Sequence, residues 1–161
     1  MKKLALVVCM LIASAVALYA EEGNESRRFE VSGTAYAPIG ESSEFLGEVT
    51  FASDLSDLVG LSVDGLVSHL SDDDPTWGAS LNVYVEPKVA DRFYIIPSMG
   101  LGVYGGDWWT YNDAVRFGGN MAVALRYEVN ESLFCGLKVK AIFCKHDMNA
   151  MLVGVNIGMH F

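Results

Sequence analysis

The chain has 161 residues, a formal net charge of −9, 52% hydrophobic residues and 19% charged ones. That length gives one domain with one core, and a mean hydropathy of +0.28 excludes a disordered acidic chain. The acidic balance removes the electrostatic basis for nucleic-acid binding. The only continuous apolar run long enough to resemble a membrane helix sits at the extreme N-terminus, which excludes a helical membrane protein.

Met1-Lys2-Lys3, an apolar stretch from Leu4 to about Ala17, and Leu18-Tyr19-Ala20 ahead of Glu21-Glu22 have the three-part layout of a secretory signal. Residues 1–20 are therefore expected to be a signal peptide and residues 21–161 the working domain. Cleavage there leaves 9 basic residues against 20 acidic, a net charge near −11. Cys9 lies inside the apolar stretch, too early for a lipid-attachment cysteine. Cys135 and Cys144, nine residues apart on one expected strand, lie roughly 30 Å from each other and cannot form a bridge within the chain.

From Phe29 to Phe161 the pattern is period-two alternation broken by turn-type clusters. It predicts strands over 29–39, 45–53, 58–69, 77–86, 92–104, 114–128, 133–144 and 151–161. Gly, Pro, Asn, Asp and Ser concentrate in the connections, as turn geometry requires. No helical periodicity or internal repeat beyond the hairpin rhythm is present.

One face of these strands is apolar throughout. Its odd-numbered positions carry no Asp, Glu, Lys, Arg, Asn or Gln, whereas the even face holds Glu30, Glu48, Asp64, Glu86, Arg116, Asn120, Arg126, Glu128, Lys138, Lys140, Asn156 and His160. Alternation alone leaves open which face is inside. The aromatics decide it. Phe29, Phe51, Phe93, Tyr127 and Phe161 fall on one rim, Phe45, Trp77, Phe117 and Phe143 on the other, with an almost wholly aliphatic band between. Two girdles flanking such a band are what bilayer interfaces select. The fold class that follows is all-β: an eight-stranded antiparallel up-and-down transmembrane β-barrel, closed because an open strand edge in hydrocarbon costs several kcal/mol per orphan group. Pro97 lacks a ladder donor, and a bulge is expected there.

The final strand, Val153-Gly154-Val155-Asn156-Ile157-Gly158-Met159-His160-Phe161, with the exported start and eight alternating strands, resembles small bacterial outer-membrane β-barrel proteins of the outer membrane protein A barrel type. The resemblance implies localisation in the bacterial outer membrane, contact with outer-membrane lipid and lipopolysaccharide, and a closing strand whose Phe161, Met159, Ile157 and Val155 form the signal read by the barrel-assembly machinery.

An eight-stranded barrel leaves an interior about filled by side chains. Acids fall on the first four strands and bases on the sixth and seventh, so a lumen network of Glu48, Asp64, Arg116, Arg126, Glu128, Lys138 and Lys140 is expected. By strand order Glu48 faces Arg116 or Arg126, and Asp64 faces Lys138 or Lys140. Pairing relieves the cost of charge in a narrow low-dielectric space. Such a network reads as a structural plug, or alternatively as a gate for small ions.

Among the loops, Asp72-Asp73-Asp74-Pro75 offers carboxylates to a calcium or magnesium ion bridging lipopolysaccharide phosphates, or is simply a solvated run without cation-motif spacing. Asp107-Trp108-Trp109-Thr110-Tyr111 is a surface-binding patch or an extension of the girdle. Ser68 and His69 point to opposite faces of a strand and do not share a proton near Asp72; His160 reads as a lumen-filling side chain. His146, Asn149 and Ala150 resemble the His-any-Ser-Asn-Ala motif of lipid A deacylase barrels, but Met148 stands at the nucleophile position and has no oxygen to attack with. No catalytic residue, metal site or cofactor is therefore assigned. The expected role is structural or interactional, in envelope integrity or surface contact; the alternatives are a degenerate deacylase-like barrel, a small-ion channel and a soluble ligand-binding barrel.

Overall fold

The computed structural model describes residues 28–39, 45–68, 76–106, 115–144 and 148–161. The expected signal peptide, the acidic run at 72–74, the Trp108-Trp109 patch, His69 and His146 lie outside the described residues, as do the side chains of Met148 and Asn149. The strands are β1 (Phe29–Pro38), β2 (Leu46–Asp54), β3 (Val59–Ser68), β4 (Trp77–Val85), β5 (Lys88–Ala90), β6 (Phe93–Gly105), β7 (Arg116–Glu128), β8 (Leu133–Cys144) and β9 (Met148–His160). All neighbours pair antiparallel, β9 closes on β1, and β4 skips β5 to pair with β6. The wall thus has the eight expected strands. β5 is an addition, a three-residue piece folded back on the start of β6 within a stretch expected to be a turn.

Carried once round, the register fixes the barrel's shape. Phe29 pairs with Ser53, and successive partners lead through Leu61, Val83, Met99, Met121 and Ala141 to Met151. The carbonyl of Met151 accepts the N–H of Ile39 on β1, ten residues from the start. Eight strands staggered by ten residues tilt by roughly 40° to the barrel axis.

The two faces divide as the alternation dictates. Odd positions such as Leu101, Phe117, Val123, Leu137, Val155 and Ile157 are exposed on the outer wall, while Tyr36, Tyr104, Phe134, Ile142, Leu152, Glu48, Asp64 and Lys140 are buried inside. Bulky inward rings are seated over neighbouring glycines: a Cβ at Gly60 would overlap Tyr84, one at Gly78 Tyr104, one at Gly154 Tyr36 and one at Gly158 Phe134. Glycine on the lumen face therefore creates the room that each ring fills.

Pro97 forms no bulge. β6 and β7 stay in register across it, with Pro97 opposite Val123. The N–H of Ile95 points to the β4–β5 side, where it reaches the carbonyl of Pro87. Pro97 lies two residues further on and has the same orientation, so its missing donor faces a place where the β4 ladder has already ended, at Tyr84–Ser98. Among the described residues, the register instead shifts between Lys88 and Ala90.

Candidate functional site: the charged lumen

Two ion clusters and an apolar layer stack along the barrel axis. We call the end carrying Phe29, Phe161 and the short turns 55–58, 86–92 and 129–132 the turn rim, and the opposite end the loop rim.

Nearest the middle, β8 projects Lys138 and Lys140 from alternate positions toward Glu48 on β2 and Asp64 on β3. Lys140 Nζ lies 2.5 Å from Glu48 Oε2 and 2.7 Å from Asp64 Oδ2. Lys138 Nζ lies 2.6 Å from Glu48 Oε1 and 3.8 Å from Asp64 Oδ2. Tyr36 Oη donates to Glu48 Oε1 at 3.0 Å, and Thr50 Oγ1 donates to Asp64 Oδ1 at 3.0 Å. Two acids and two bases balance, and each carboxylate is also bonded by a hydroxyl. This is the condition under which a buried ion cluster is tolerated.

Toward the turn rim, Arg126 on β7 spans the lumen. Its Nη2 lies 2.5 Å from Glu30 Oε2 on β1 and its Nη1 2.7 Å from Glu86 Oε1, just beyond β4. The guanidinium carbon sits 4.2 Å from the centre of the Phe134 ring, a cation–π contact that strengthens on desolvation. Tyr84 Oη donates to Asp54 Oδ1 at 2.7 Å beside it. Toward the loop rim, Tyr36, Leu46, Leu66, Tyr104, Ile142, Cys144 and Leu152 form an apolar layer inside the barrel. Among the described residues, then, the lumen is crossed by side chains at three levels.

The structure brings Asp64 to Lys140 and Lys138. It does not bring Glu48 to Arg116 or Arg126. Glu48 shares a rung with Thr34, Asn156, Gly136 and Arg126, but rungs in a staggered barrel run obliquely to the axis. At the height of Glu48 the facing residues on β8 are those two and four places beyond Gly136, namely Lys138 and Lys140. Glu128 also stands apart from the cluster. It sits at the turn rim, 3.6 Å from Arg28, and accepts from Tyr94 Oη at 3.4 Å. Arg116 lies at the loop rim, its Nε buried without a hydrogen-bond partner among the described residues. His160 stacks on Phe134 with centroids 4.9 Å apart, inside the turn rim. The partners Glu30 and Glu86 of Arg126 were visible as even-face acids, but nothing in strand order singled them out. Cys135 and Cys144 are free thiols, and no group of acids, histidines and cysteines among the described residues has the arrangement of a metal site.

The outer wall carries the girdles. Phe93 and Tyr127 pack at 4.9 Å between centroids at the turn rim, where Phe161 is also exposed, while Phe45, Phe117 and Phe143 are exposed at the loop rim. A closed antiparallel barrel with such a wall and a charged, filled interior is a transmembrane β-barrel of the small outer-membrane type. No protein-family model and no curated protein sequence matches the chain. Solved structures do. The N-terminal β-barrel domain of OprF from Pseudomonas aeruginosa matches with a TM-score of 0.69 at 15% identity, covering 83% of this chain and 97% of that one. A major outer membrane protein from Thermus thermophilus matches at 0.62 and 11% identity, covering 85% and 100%. The outer membrane enzyme PagL matches at 0.55 and 10% identity, covering 80% and 97%. At these identities the likeness shows a shared barrel fold.

Proposed function

We propose that this chain is a structural and surface-contact barrel of the bacterial outer membrane, inserted by the barrel-assembly machinery through the Phe161, Met159, Ile157 and Val155 face of β9. Its turn rim faces the periplasm and its loop rim the outside, where lipid and lipopolysaccharide surround it. The observation that carries the reading is the lumen itself. The Glu48–Asp64–Lys138–Lys140 cluster and the apolar layer beyond it fill the cross-section with side chains that are already fully partnered, which favours a plug over a pore or a solute site. An enzymatic role would need a nucleophile, a base and an orienting acid within reach of one another, and no residue is assigned to such a role.

Two measurements test this. Purified protein in planar bilayers is expected to stay electrically silent, and deletion of the gene is expected to sensitise cells to detergent without changing the mass spectrum of lipid A. Stepwise conductance would refute the plug; a shift in lipid A acylation on overexpression would refute the non-enzymatic reading.

A further inference from the structure

We propose that the inward charges are sorted along the chain to steer closure of the barrel, the acid-bearing half of the sheet drawing the base-bearing half, and β9 with it, onto β1. The inward acids Glu30, Glu48, Asp64 and Glu86 lie on β1 to β3 or just past β4, whereas the inward bases Arg126, Lys138 and Lys140 lie on β7 and β8. Every ion pair inside the lumen among the described residues joins the two halves: Arg126 with Glu30 and Glu86, and Lys138 and Lys140 with Glu48 and Asp64. The hydrogen-bonded partners of Arg126 are 40 and 96 residues away from it in sequence. At the turn rim Arg28 and Glu128 also join the halves, with the signs reversed. A plug needs only neutrality, which neighbouring strands could supply by setting a base directly opposite an acid. They do not. Glu48 stands opposite Thr34 and Leu66, and Lys140 opposite Ala122 and Leu152.

The order of the sheet turns this placement into a device. The other wall pairings join strands that follow one another in the chain, but β9 on β1 joins its two ends, the contact with the largest loop to close. Before it forms, the wall is an open sheet with β1 and β9 as free edges. Lys138 and Lys140 then stand five strand spacings from Glu48, counted through β3, β4, β6 and β7, or roughly 24 Å. Each half carries unbalanced charge of one sign. Attraction between the halves acts through the water in an unclosed barrel, over a range set by screening: about 30 Å at 0.01 M salt and 3 Å at 1 M. The lumen is on the order of 15 Å across, so low salt lets the halves sense each other and high salt does not. The same sorting opposes wrong closure, because joining two β1 edges or two β9 edges from separate copies sets like charge against like.

Folding rates separate steering from a contact made only in the finished barrel. In the full chain, Glu48→Gln, Asp64→Asn, Lys138→Met and Lys140→Met together neutralise the middle cluster without stranding a charge. A second variant reverses its signs: Glu48→Lys, Asp64→Lys, Lys138→Glu and Lys140→Glu. Folding into phospholipid vesicles is followed by the gel mobility of the closed form, and unfolding is timed separately in denaturant. The neutral variant is expected to fold about tenfold more slowly than the parent, with its unfolding rate little changed. Raising potassium chloride from about 0.01 M to about 1 M is expected to slow the parent and to leave the neutral variant nearly unaffected. The reversed variant, whose halves still attract, keeps the parent's rate and salt dependence. A neutral variant that folds at the parent's rate, or a parent and neutral variant that respond equally to salt, would overturn the proposal. So would a reversed variant that folds as slowly as the neutral one. If the neutral or the reversed variant fails to fold, the parent's own folding rate decides, and one indifferent to salt overturns the proposal. The electrical silence of the closed barrel is read separately, so the plug and the steering fail independently.

Discussion

Replacing Lys140 with Met removes one of two cations from the most deeply buried ion cluster while nearly preserving side-chain length. Glu48, with no exposed side-chain surface, and Asp64, 4% exposed, are then left to share Lys138. Lys138 already lies 2.6 Å from Glu48 but 3.8 Å from Asp64, so Asp64 bears most of the loss. Breaking a buried pair by deleting one partner costs about 3–5 kcal/mol. With a guanidinium slope of roughly 2–6 kcal/mol per molar, the unfolding midpoint in lipid vesicles is expected to fall by about 1 M. The assay is equilibrium unfolding followed by tryptophan fluorescence and by the gel mobility of folded and unfolded forms. Adding Asp64→Asn to Lys140→Met restores charge balance, since Glu48 and Lys138 remain as a pair, and is expected to recover at least half the loss. That non-additivity is the signature of a direct interaction. A Lys140→Met barrel within about 0.5 kcal/mol of the parent would refute the claim that this cluster holds the lumen together.

Two further substitutions probe the wall. Val155→Arg puts a cation at a site 62% exposed on the outer face, and should cost about 2–4 kcal/mol near the bilayer midplane; unfolding from vesicles measures it, and a neutral result would argue against lipid contact there. Gly158→Ala drives a methyl group into the Phe134 ring and against Ser32 Cβ, an overpacking cost of about 1–3 kcal/mol. Phe134→Leu in the same chain is expected to relieve part of that cost, as read by denaturation midpoints.

The eight wall strands were legible because a half-buried sheet imposes period two, and because their turns need Asp, Asn, Gly and Pro. β5 was not, since Lys88, Val89 and Ala90 are all exposed and a strand with no buried face leaves no alternation to read. The inward charges were legible as a set, and strand order set β8 against β3, where Asp64 meets Lys140, but set β2 against β7 although Glu48 meets β8. The partners of Glu48 and Arg126 were not, because they depend on how far the rungs climb around the barrel. That quantity is fixed by stagger, and no single strand encodes it. Glu48 shows the consequence: it shares a rung with Arg126 yet bonds Lys138 and Lys140. Arg126 reaches Glu30 and Glu86 instead because a long guanidinium side chain can span the lumen from β7 to β1 and β4 at one level. Pro97 misled for a related reason. Its cost depends on which neighbour its nitrogen faces, and that neighbour's ladder stops one residue short.

Nitroxide labels at Val123 and Ala124, adjacent residues on β7, test most directly which surface meets hydrocarbon. In phospholipid vesicles the label at Val123 should collide freely with dissolved oxygen and hardly at all with a water-soluble nickel chelate, while the label at Ala124, which lines the inner cavity, should lose that oxygen preference. Equal accessibility at the two positions, or the reverse order, would mean that the apolar wall does not face lipid.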